Sequence, residues 1–392
     1  MNIKIRSEVK AIRDKIIEFR RYLHKHPELA FREFKTAEFV AGELQECGLK
    51  VSINIGKTGV VGLLEGSQSG PCIGLRADMD GLPIQETGSL PFKSVNDKVM
   101  HACGHDGHMA MLLGAASILI GFRDRLSGSV KFIFQPAEEG GGGAKYMIAD
   151  SVLDNPSVDE IYGIHLWNYQ EFGTVGIKDG PILAAADIFT ITILGKGGHG
   201  AVPQNTVDAI VAASHLVTAL QTVVSRNTNP LESTVVTVGM IEGGHNFNVI
   251  ADKVVLKGTI RAYTDANRQM IIRRMNEIII GIAKSFGAEI SCIFEDGYPP
   301  TINSEPETIK AANAAKKIVG SGVQFPYMSM GAEDMSYYLE KVPGCFFFVG
   351  SSPEGVDPSE IPHHCSHFDI NEEALLVGSS IWVQLIDDLI RT

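Results

Sequence analysis

The sequence has no excess of basic residues. Its 34 lysines and arginines are outnumbered by 46 aspartates and glutamates, and the formal net charge is −12. Proteins that bind nucleic acids attract the phosphates with a positively charged surface, which this composition does not favour. We therefore expect no nucleic-acid partner.

Long apolar runs and an export signal are also missing. No stretch approaches the roughly 20 consecutive apolar residues of a membrane-spanning helix. The charged residues 1–21 contain no apolar segment of the kind that directs export. The six cysteines lack a disulfide-like spacing, so we expect free thiols. These absences predict a cytoplasmic protein with no membrane partner.

What the sequence does contain is a regular alternation of predicted helices and strands. Its 392 residues, 44% of them hydrophobic, are enough for two domains or one large one. The alternation predicts an α/β domain with a mixed, mostly parallel sheet, formed by residues 1–183 and 297–392. Residues 184–296 have the order strand, helix, strand, strand, helix, strand, which predicts an inserted ferredoxin-like α+β domain.

Five segments are rich in side chains that bind metals. Four of them lie at or just beyond the ends of predicted strands, where α/β sheets place their sites. The five segments are Arg76–Asp80, His101–His108, Gln135–Gly140, Gly163–His165 and His363–His367. Two divalent metals that share a bridging ligand need about five imidazole, thiolate or carboxylate groups. The simpler alternative is that the histidines of 101–108 cap the following helix or fill polar pockets.

Glu138 and Glu139 are adjacent carboxylates in a loop that continues with four glycines. Since neighbouring side chains point in different directions, we expect two roles for them. One carboxylate can bind a metal while the other accepts a proton from water. The alternative is an acidic start to the next helix, favoured by the helix dipole.

The motifs of this chain resemble those of the aminoacylase/carboxypeptidase family of dimetal peptidases. Within that family they resemble the branch of N-acyl-L-amino acid amidohydrolases, hippurate hydrolase and indoleacetyl-amino-acid hydrolases. The matching motifs are Leu23–Glu28, Arg76–Pro83, Met100–His108, Phe134–Gly140, Gly163–Trp167, Gly197–Pro203 and Gly331–Asp334. The resemblance implies a dimetal-peptidase-like catalytic domain interrupted by an α+β lid and dimerisation domain.

The resemblance also implies a set of site residues. Five metal ligands follow from it: Cys103, His105, Glu139, His165 and His364. The Cys103 thiolate would bridge the two metals, and Glu138 would be the general base. His364 is preferred to its neighbour His363 because the ligand in relatives lies four residues before the aromatic at 368. Ser366 departs from the proline usual in relatives, so His363 stays as the alternative.

Other residues are expected to support this site. Asp78 and Asp80 follow an apolar strand and could orient metal-binding histidines. The resemblance implies that His199 of the inserted domain donates a hydrogen bond to the oxyanion, often in the second subunit. Asn248 and Arg261 of the same domain could bind a substrate amide and carboxylate.

The predicted function is hydrolysis of N-acyl amino acids, N-acetyl or N-aroyl, to a carboxylate and a free amino acid. The expected cofactors are two divalent ions per subunit, of zinc, manganese, cobalt or nickel. Close alternatives are a carboxypeptidase or dipeptidase, or a deacetylase of an amino-acid biosynthetic intermediate. More distant ones are a cysteine hydrolase using Cys103 and a non-catalytic metal-binding sensor. The sheet edge of the inserted domain predicts a homodimer, with a homotetramer as the alternative.

Overall fold

The structure is a computed structural model that describes residues 3–391. Residues 1, 2 and 392, at the ends of the predicted catalytic domain, lie outside the described residues. The helices are α1 (Ser7–Ala11), α2 (Arg13–Lys25), α3 (Phe34–Glu46), α4 (His105–Leu119), α5 (Gly143–Ala149), α6 (Ala209–Thr222), α7 (Asp265–Phe286), α8 (Glu305–Val319), α9 (Met335–Leu339) and α10 (Glu373–Ile390).

Strands alternate with these helices along most of the chain. They are β1 (Lys50–Ile55), β2 (Gly59–Glu65), β3 (Gln68–Asp78), β4 (Ser127–Gln135), β5 (Glu160–Glu171), β6 (Val175–Gly176), β7 (Gly180–Leu183), β8 (Ala185–Leu194), β9 (Gly198–His199), β10 (Thr234–Gly243), β11 (Val249–Ile250), β12 (Lys253–Ala262), β13 (Glu289–Tyr298), β14 (Thr301–Asn303), β15 (Val323–Gln324) and β16 (Gly344–Ser352).

The chain divides into two compact units. The first contains residues up to 182 together with 302–328 and 334–391, and the second contains 183–301 and 329–333. The sequence placed the inserted domain at 184–296. The short segment 329–333, which belongs to the second unit, was not part of that expectation.

The first unit is built on an eight-stranded sheet in the order β1-β2-β4-β3-β5-β16-β6-β15. The four central strands, β4, β3, β5 and β16, run parallel to one another. Antiparallel pairs join β1 to β2, β2 to β4, and β16 to β6. All nine residues of β16 are buried, as expected for a strand covered on both faces. The predicted mixed, mostly parallel α/β sheet is therefore confirmed.

Helix α4 lies at the centre of the packing in the first unit. It contacts α2, α3, α10 and strand β3, and its side chains are buried around nearly the whole helix. A helix that is apolar on all sides belongs inside a protein. Because His105 is its first residue, this burial fixes the start of α4 firmly in the core.

The sequence suggested that His165 lies at the end of a strand, but it lies inside one. Strand β5 runs on to Glu171. Its pairing with β3 stops at Gly163, opposite Arg76, while its pairing with β16 continues past His165, opposite Phe348. His165 therefore lies two residues beyond the last pair between β3 and β5, near the carboxyl end of β3, and β5 is a longer strand than predicted.

The six main elements of the second unit follow the predicted order, and the short strands β9 and β11 are additional. Its four-stranded antiparallel sheet runs β10-β12-β8-β13. Helix α7 begins at the Thr264 cap, whose hydroxyl accepts the Asn267 N–H, and ends at Gly287, where φ is +67°. Residues four apart, Ile271, Met275 and Ile279, are its buried positions, so one face of α7 packs in the core of this unit.

One helical segment, Ala209–Asn227, is long and apolar enough to cross a membrane by length and composition alone. It consists of α6 and a following π-helical turn. Its residues Ala212, Leu216 and Leu220 are buried in the core of the second unit. That packing accounts for its apolar composition.

Candidate metal centre

Two of the predicted ligands are held by the start of α4. Gly104 lies between Cys103 and His105 and has a φ of +91°, a left-handed conformation that glycine adopts without strain. A Cβ at Gly107 would lie 2.4 Å from Leu166 Cδ1 on β5, so a larger residue there would displace this side chain. These two glycines let the thiol and the imidazole converge on β5.

The five predicted ligands are brought together in two groups that share Cys103. In the first group are Cys103, His105 and His165, and in the second are Cys103, Glu139 and His364. Within each group the potential ligand atoms all lie within 4.8 Å of one another. A thiolate common to two groups of ligands is the arrangement that a bridged pair of metals needs.

Hydrogen bonds fix the orientation of two of these imidazoles. His105 Nδ1 donates to the Asp80 carbonyl oxygen at 2.9 Å, and its buried Nε2 has no hydrogen-bond partner. His165 Nδ1 donates to the Leu166 carbonyl at 2.6 Å, and its Nε2 lies 3.5 Å from the Cys103 sulfur. In both residues Nδ1 is occupied and Nε2 is left for a ligand, as is usual for metal-binding histidines.

Glu139 and His364 meet on the other side of the thiol. His364 Nε2 lies 3.1 Å from Glu139 Oε1, and the His364 N–H donates to the Ala102 carbonyl at 2.8 Å. His364 has a φ of +67°, a conformation that is costly for a residue with a Cβ. Such strain is commonly retained at functional sites.

The neighbouring His363 has a different environment. It is half-buried, and its Nε2 accepts the Asn168 N–H at 3.1 Å. Its ring packs against Trp167, with centroids 4.8 Å apart, and against Tyr169 at 5.5 Å. Since His363 is bonded within an aromatic cluster while His364 faces Glu139, the geometry favours His364 as the fifth ligand.

Glu138 is buried beside this centre. Its carboxylate lies within 4.8 Å of the potential ligand atoms of His105 and Glu139. The backbone N–H groups of Glu138 and Glu139 each donate to the Asp80 carboxylate at 3.0 Å. The two adjacent glutamates are therefore fixed at the backbone by one carboxylate.

Asp78 and Asp80 act on the histidines in different ways. Asp80 orients His105 through its main-chain carbonyl. Asp78 Oδ1 accepts from His108 Nδ1 at 2.6 Å, and His108 Nε2 accepts the Leu166 N–H at 2.8 Å. Because both nitrogens of His108 are bonded, it supports β5 and has no free atom for a metal.

The electrostatics of the centre suit a cation. Burial raises the pKa of the Cys103 thiol, and the nearby Glu139 and Glu138 carboxylates raise it further. Burial alone would lower the pKa of His105, but Asp78 and Asp80 outweigh it and raise the pKa to about 10. The Glu139 carboxylate, the Cys103 thiol and the His105 Nε2, which has no hydrogen bond, form a donor set that fits divalent metals.

A buried ion network behind the centre was not foreseen from the sequence. Arg20, which is 1% exposed, donates to Asp106, Asp369 and Glu372. His24 lies 2.9 Å from Asp106 and 3.3 Å from Glu86. The charged residues of α2 were the only signal of this network in the sequence. Helical periodicity does not reveal which acidic residues they pair with.

In the second unit, His199 and Asn248 lie close together. His199 on β9 pairs with Val249 on β11, and the Asn248 carbonyl accepts the Gly200 N–H at 2.8 Å. Arg261 lies on β12, where its guanidinium donates to Thr259 Oγ1 at 2.6 Å. The first two predicted residues of this unit are thus neighbours, and the third belongs to the four-stranded sheet.

Comparison with known proteins shows clear similarity over nearly the whole chain. The model of the peptidase family M20/M25/M40 matches residues 74–388. N-acetyl-L-cysteine deacetylase of Bacillus subtilis is 42% identical over 93% of this chain and 85% of its own length. Thermostable carboxypeptidase 2 of Saccharolobus solfataricus is 39% identical over 96% and 95% of the two chains.

A solved structure agrees with the fold. The YXEP protein of Bacillus subtilis, described as a dinuclear metal binding peptidase from the M20 family, superimposes with a TM-score of 0.85. It is 35% identical, and the match covers 96% of this chain and 98% of the other.

Proposed function

Because the chain belongs to the peptidase family M20/M25/M40, we propose that it uses two divalent metals to hydrolyse the amide bond of N-acyl amino acids. The products are a carboxylate and a free amino acid. The observation that carries the proposal is the pair of ligand groups that share Cys103. The similarity to an N-acetyl-L-cysteine deacetylase supports this substrate class.

Five side chains would hold the two ions. His105 and His165 would bind one, Glu139 and His364 the other, and Cys103 both. Zinc and cobalt suit a thiolate best, and manganese and nickel are the other candidates. When bound, the two ions lower the pKa of a water molecule and polarise the acyl carbonyl.

Glu138 moves the proton. It accepts a proton from water as the water oxygen forms a bond to the acyl carbon. It then gives that proton to the amide nitrogen as the carbon–nitrogen bond breaks, because an amide nitrogen does not leave as an anion at neutral pH. Its position beside His105 and Glu139 supports this role.

We assign the second unit the role of a lid that binds substrate. His199 is exposed, and its Nδ1 accepts the Ala201 N–H at 3.0 Å. The proton of the neutral ring is therefore on Nε2, which is ready to donate to the oxyanion of the tetrahedral intermediate. Asn248 would bind the substrate amide, and Arg261 its carboxylate.

Of two alternative functions considered for this sequence, we keep one and drop the other. A carboxypeptidase acting on the same site is supported by the similarity to thermostable carboxypeptidase 2, and we retain it as the second candidate. A cysteine hydrolase needs a thiol of lowered pKa, whereas burial and carboxylates raise the pKa of Cys103. We therefore do not propose it.

We further propose a cytoplasmic homodimer, with a homotetramer as the alternative. Strand β10 is an edge of the second unit's sheet. Its Met240 and Ile241 are 46% and 59% exposed. An apolar edge strand is suited to pairing with a second copy of the same chain.

The test is a hydrolysis assay with metal analysis on the same sample. The full chain is offered N-acetyl amino acids, N-benzoylglycine and dipeptides. We expect cleavage of the N-acyl amino acids, loss of activity in a chelator, and recovery on adding metal. Faster cleavage of dipeptides would favour the carboxypeptidase. A protein loaded with two metals that cleaves none of them would overturn the proposal and favour a sensor.

Two variants of the general base sharpen this assay. Glu138→Ala, and the isosteric Glu138→Gln, should lower kcat by at least about 100-fold, because neither side chain can accept the proton. Both should keep the metal content of the unaltered chain. A metal-loaded Glu138→Gln enzyme with near-normal turnover would remove Glu138 from this role.

A further inference from the structure

Three consecutive backbone N–H groups beside the metal centre are bound by two buried carboxylates. Ala137 N–H donates to Glu33 Oε1 at 2.9 Å, and the N–H groups of Glu138 and Glu139 donate to Asp80 at 3.0 Å. Both carboxylate residues are almost completely buried. Three consecutive N–H groups are thus bonded to side chains that are themselves buried, so this segment is held more firmly than an ordinary loop.

The backbone at Ala137 needs such support. Ala137 is buried and has a φ of +52°, which an alanine adopts only at a cost. The following turn closes tightly on it, because the Gly143 N–H donates to the Ala137 carbonyl at 3.1 Å. A Cβ at Gly143 would lie 1.7 Å from Pro136 O. The left-handed turn at Ala137 sets the direction in which the chain enters Glu138.

Both carboxylate oxygens of Glu33 accept further hydrogen bonds. Its Oε1 also accepts the Phe31 N–H at 3.0 Å, and its Oε2 accepts from Thr58 Oγ1 at 2.6 Å. It precedes α3 and is 0% exposed. Glu33 thereby joins the N-terminal segment and the β1–β2 turn to the residue before the proposed general base.

We propose that Glu33 is a positioning residue for Glu138, which it acts on by holding the Ala137 N–H and so keeping the left-handed turn closed. The inference deepens the proposed function and rests on it. Glu33 touches neither substrate nor metal in this assignment. Its contribution is the direction of the Glu138 carboxylate, which must meet both a water molecule and the departing nitrogen.

This role requires the length of the Glu33 side chain and not its charge. Burial raises the pKa of Glu33 to about 7, against the opposing effect of the Thr58 hydrogen bond. The Asp80 carboxylate also faces it and raises the pKa. Since the Thr58 hydroxyl can accept as well as donate, the contacts of Glu33 persist whether or not it carries a proton.

Three substitutions separate reach from charge. Glu33→Gln keeps an oxygen for Ala137 and an amide for Thr58, and it should retain kcat within about threefold. Glu33→Asp keeps the charge but shortens the side chain by roughly 1.5 Å, and Glu33→Ala removes it. We expect these two to lower kcat by about 10- to 100-fold while KM changes little, because misplaced catalytic groups cost rate and not binding.

The matched control is Glu28→Ala. Glu28 lies in the same segment, and its carboxylate likewise accepts a backbone N–H, that of Thr36 at 2.9 Å, as well as the Thr36 hydroxyl. It bonds within the start of α3 and not to the 137–139 segment. We expect Glu28→Ala to lower the thermal midpoint and to leave kcat unchanged. A merely structural role of Glu33 would give the same result as this control.

A measurement that does not depend on turnover completes the test. Hydrogen exchange at the amides of residues 137–139 should speed up in Glu33→Ala and Glu33→Asp but not in Glu33→Gln or Glu28→Ala. All variants are assayed after saturation with metal, because Glu139 lies on the same segment. If metal-loaded Glu33→Ala and Glu33→Asp keep the kcat of the unaltered chain, Glu33 has no positioning role.

That outcome is distinct from failure of the proposed function. If the unaltered chain hydrolyses no amide, the function is wrong, and the exchange measurement still reports whether Glu33 holds the turn. If the chain is active and Glu33→Gln is as impaired as Glu33→Ala, charge and not reach is what matters, and the inference is overturned.

Discussion

Hydrogen bonds at the ring nitrogens distinguish His108 from the ligand candidates His105 and His165. In His105 and His165, Nδ1 is bonded to a carbonyl, so Nε2 is available. In His108 both nitrogens are bonded. All three are histidines near Cys103, so the hydrogen-bonding environment and not the residue type separates His105 and His165 from the supporting His108.

The same reasoning makes a prediction for the pair His363 and His364. His364→Ala should lower the metal content from two ions to about one per chain, because it removes one of the three ligands of the second group. The matched variant His363→Phe should keep both ions, since His363 lies among aromatic rings and a phenyl ring can replace it there. Metal analysis after exhaustive dialysis measures the difference. Equal loss in both variants would leave the fifth ligand undecided, and loss in His363→Phe alone would reverse the assignment.

Between elements, buried charges connect the parts that carry the site. Arg20 of α2 bonds Asp106 of α4, which follows the proposed ligand His105. It also bonds Asp369, which lies shortly after His364. One guanidinium thus joins two segments that supply ligands, and α2, which supplies none, contributes to the site by fixing their separation.

Removing this guanidinium should lower the stability of the fold. Arg20→Met should lower the free energy of unfolding by about 3 to 5 kcal/mol, because it leaves the buried Asp106 short of a partner. Arg21→Met is the matched control, since Arg21 is 47% exposed and also pairs with Glu372. An exposed pair is worth at most about 1 kcal/mol. Denaturant unfolding of both variants gives the two values, and similar losses would show that the network does not stabilise the fold.

How far the elements could be predicted depended on their periodicity. Periodicity predicts a helix over 266–286 and an apolar strand over 345–349; α7 begins one residue earlier, and β16 extends one residue before and three residues beyond the predicted strand. Strand β1, with mostly exposed residues, and the short helix α5 were missed because neither has a clear apolar pattern. The site segments could be located because metal-binding side chains are rare in clusters. Glu33 could not be found, since a buried glutamate that binds backbone amides has no sequence pattern.

At the scale of the whole molecule, this metal-dependent hydrolase keeps its proposed ligands in one unit although the chain leaves that unit between them. Cys103, His105, Glu139 and His165 precede the second unit in sequence, and His364 follows it. All five, and Glu138, belong to the first unit. The insertion therefore separates the ligands in sequence but not in space. The second unit can serve substrate binding and assembly.

The proposed dimer depends on which edge of the second unit's sheet is open to pairing. The two edges are β10 and β13. Strand β13 carries Glu289, Glu295 and Asp296, and charges of one sign on an edge strand discourage pairing with another copy. Strand β10 has a single carboxylate, Glu242, after its exposed apolar residues. The charge distribution favours β10 as the contact.

A charge placed on each edge tests this choice. Ile241→Lys on β10 should convert the dimer into a monomer at micromolar concentration, because an interface that must bury a lysine loses several kcal/mol. Ile293→Lys on β13, at a residue that is similarly exposed, 64% against 59% for Ile241, should leave the dimer intact. Sedimentation velocity distinguishes the species. A monomer in the Ile293→Lys variant alone would move the interface to β13, and a chain that sediments as a monomer without any substitution would remove the dimer.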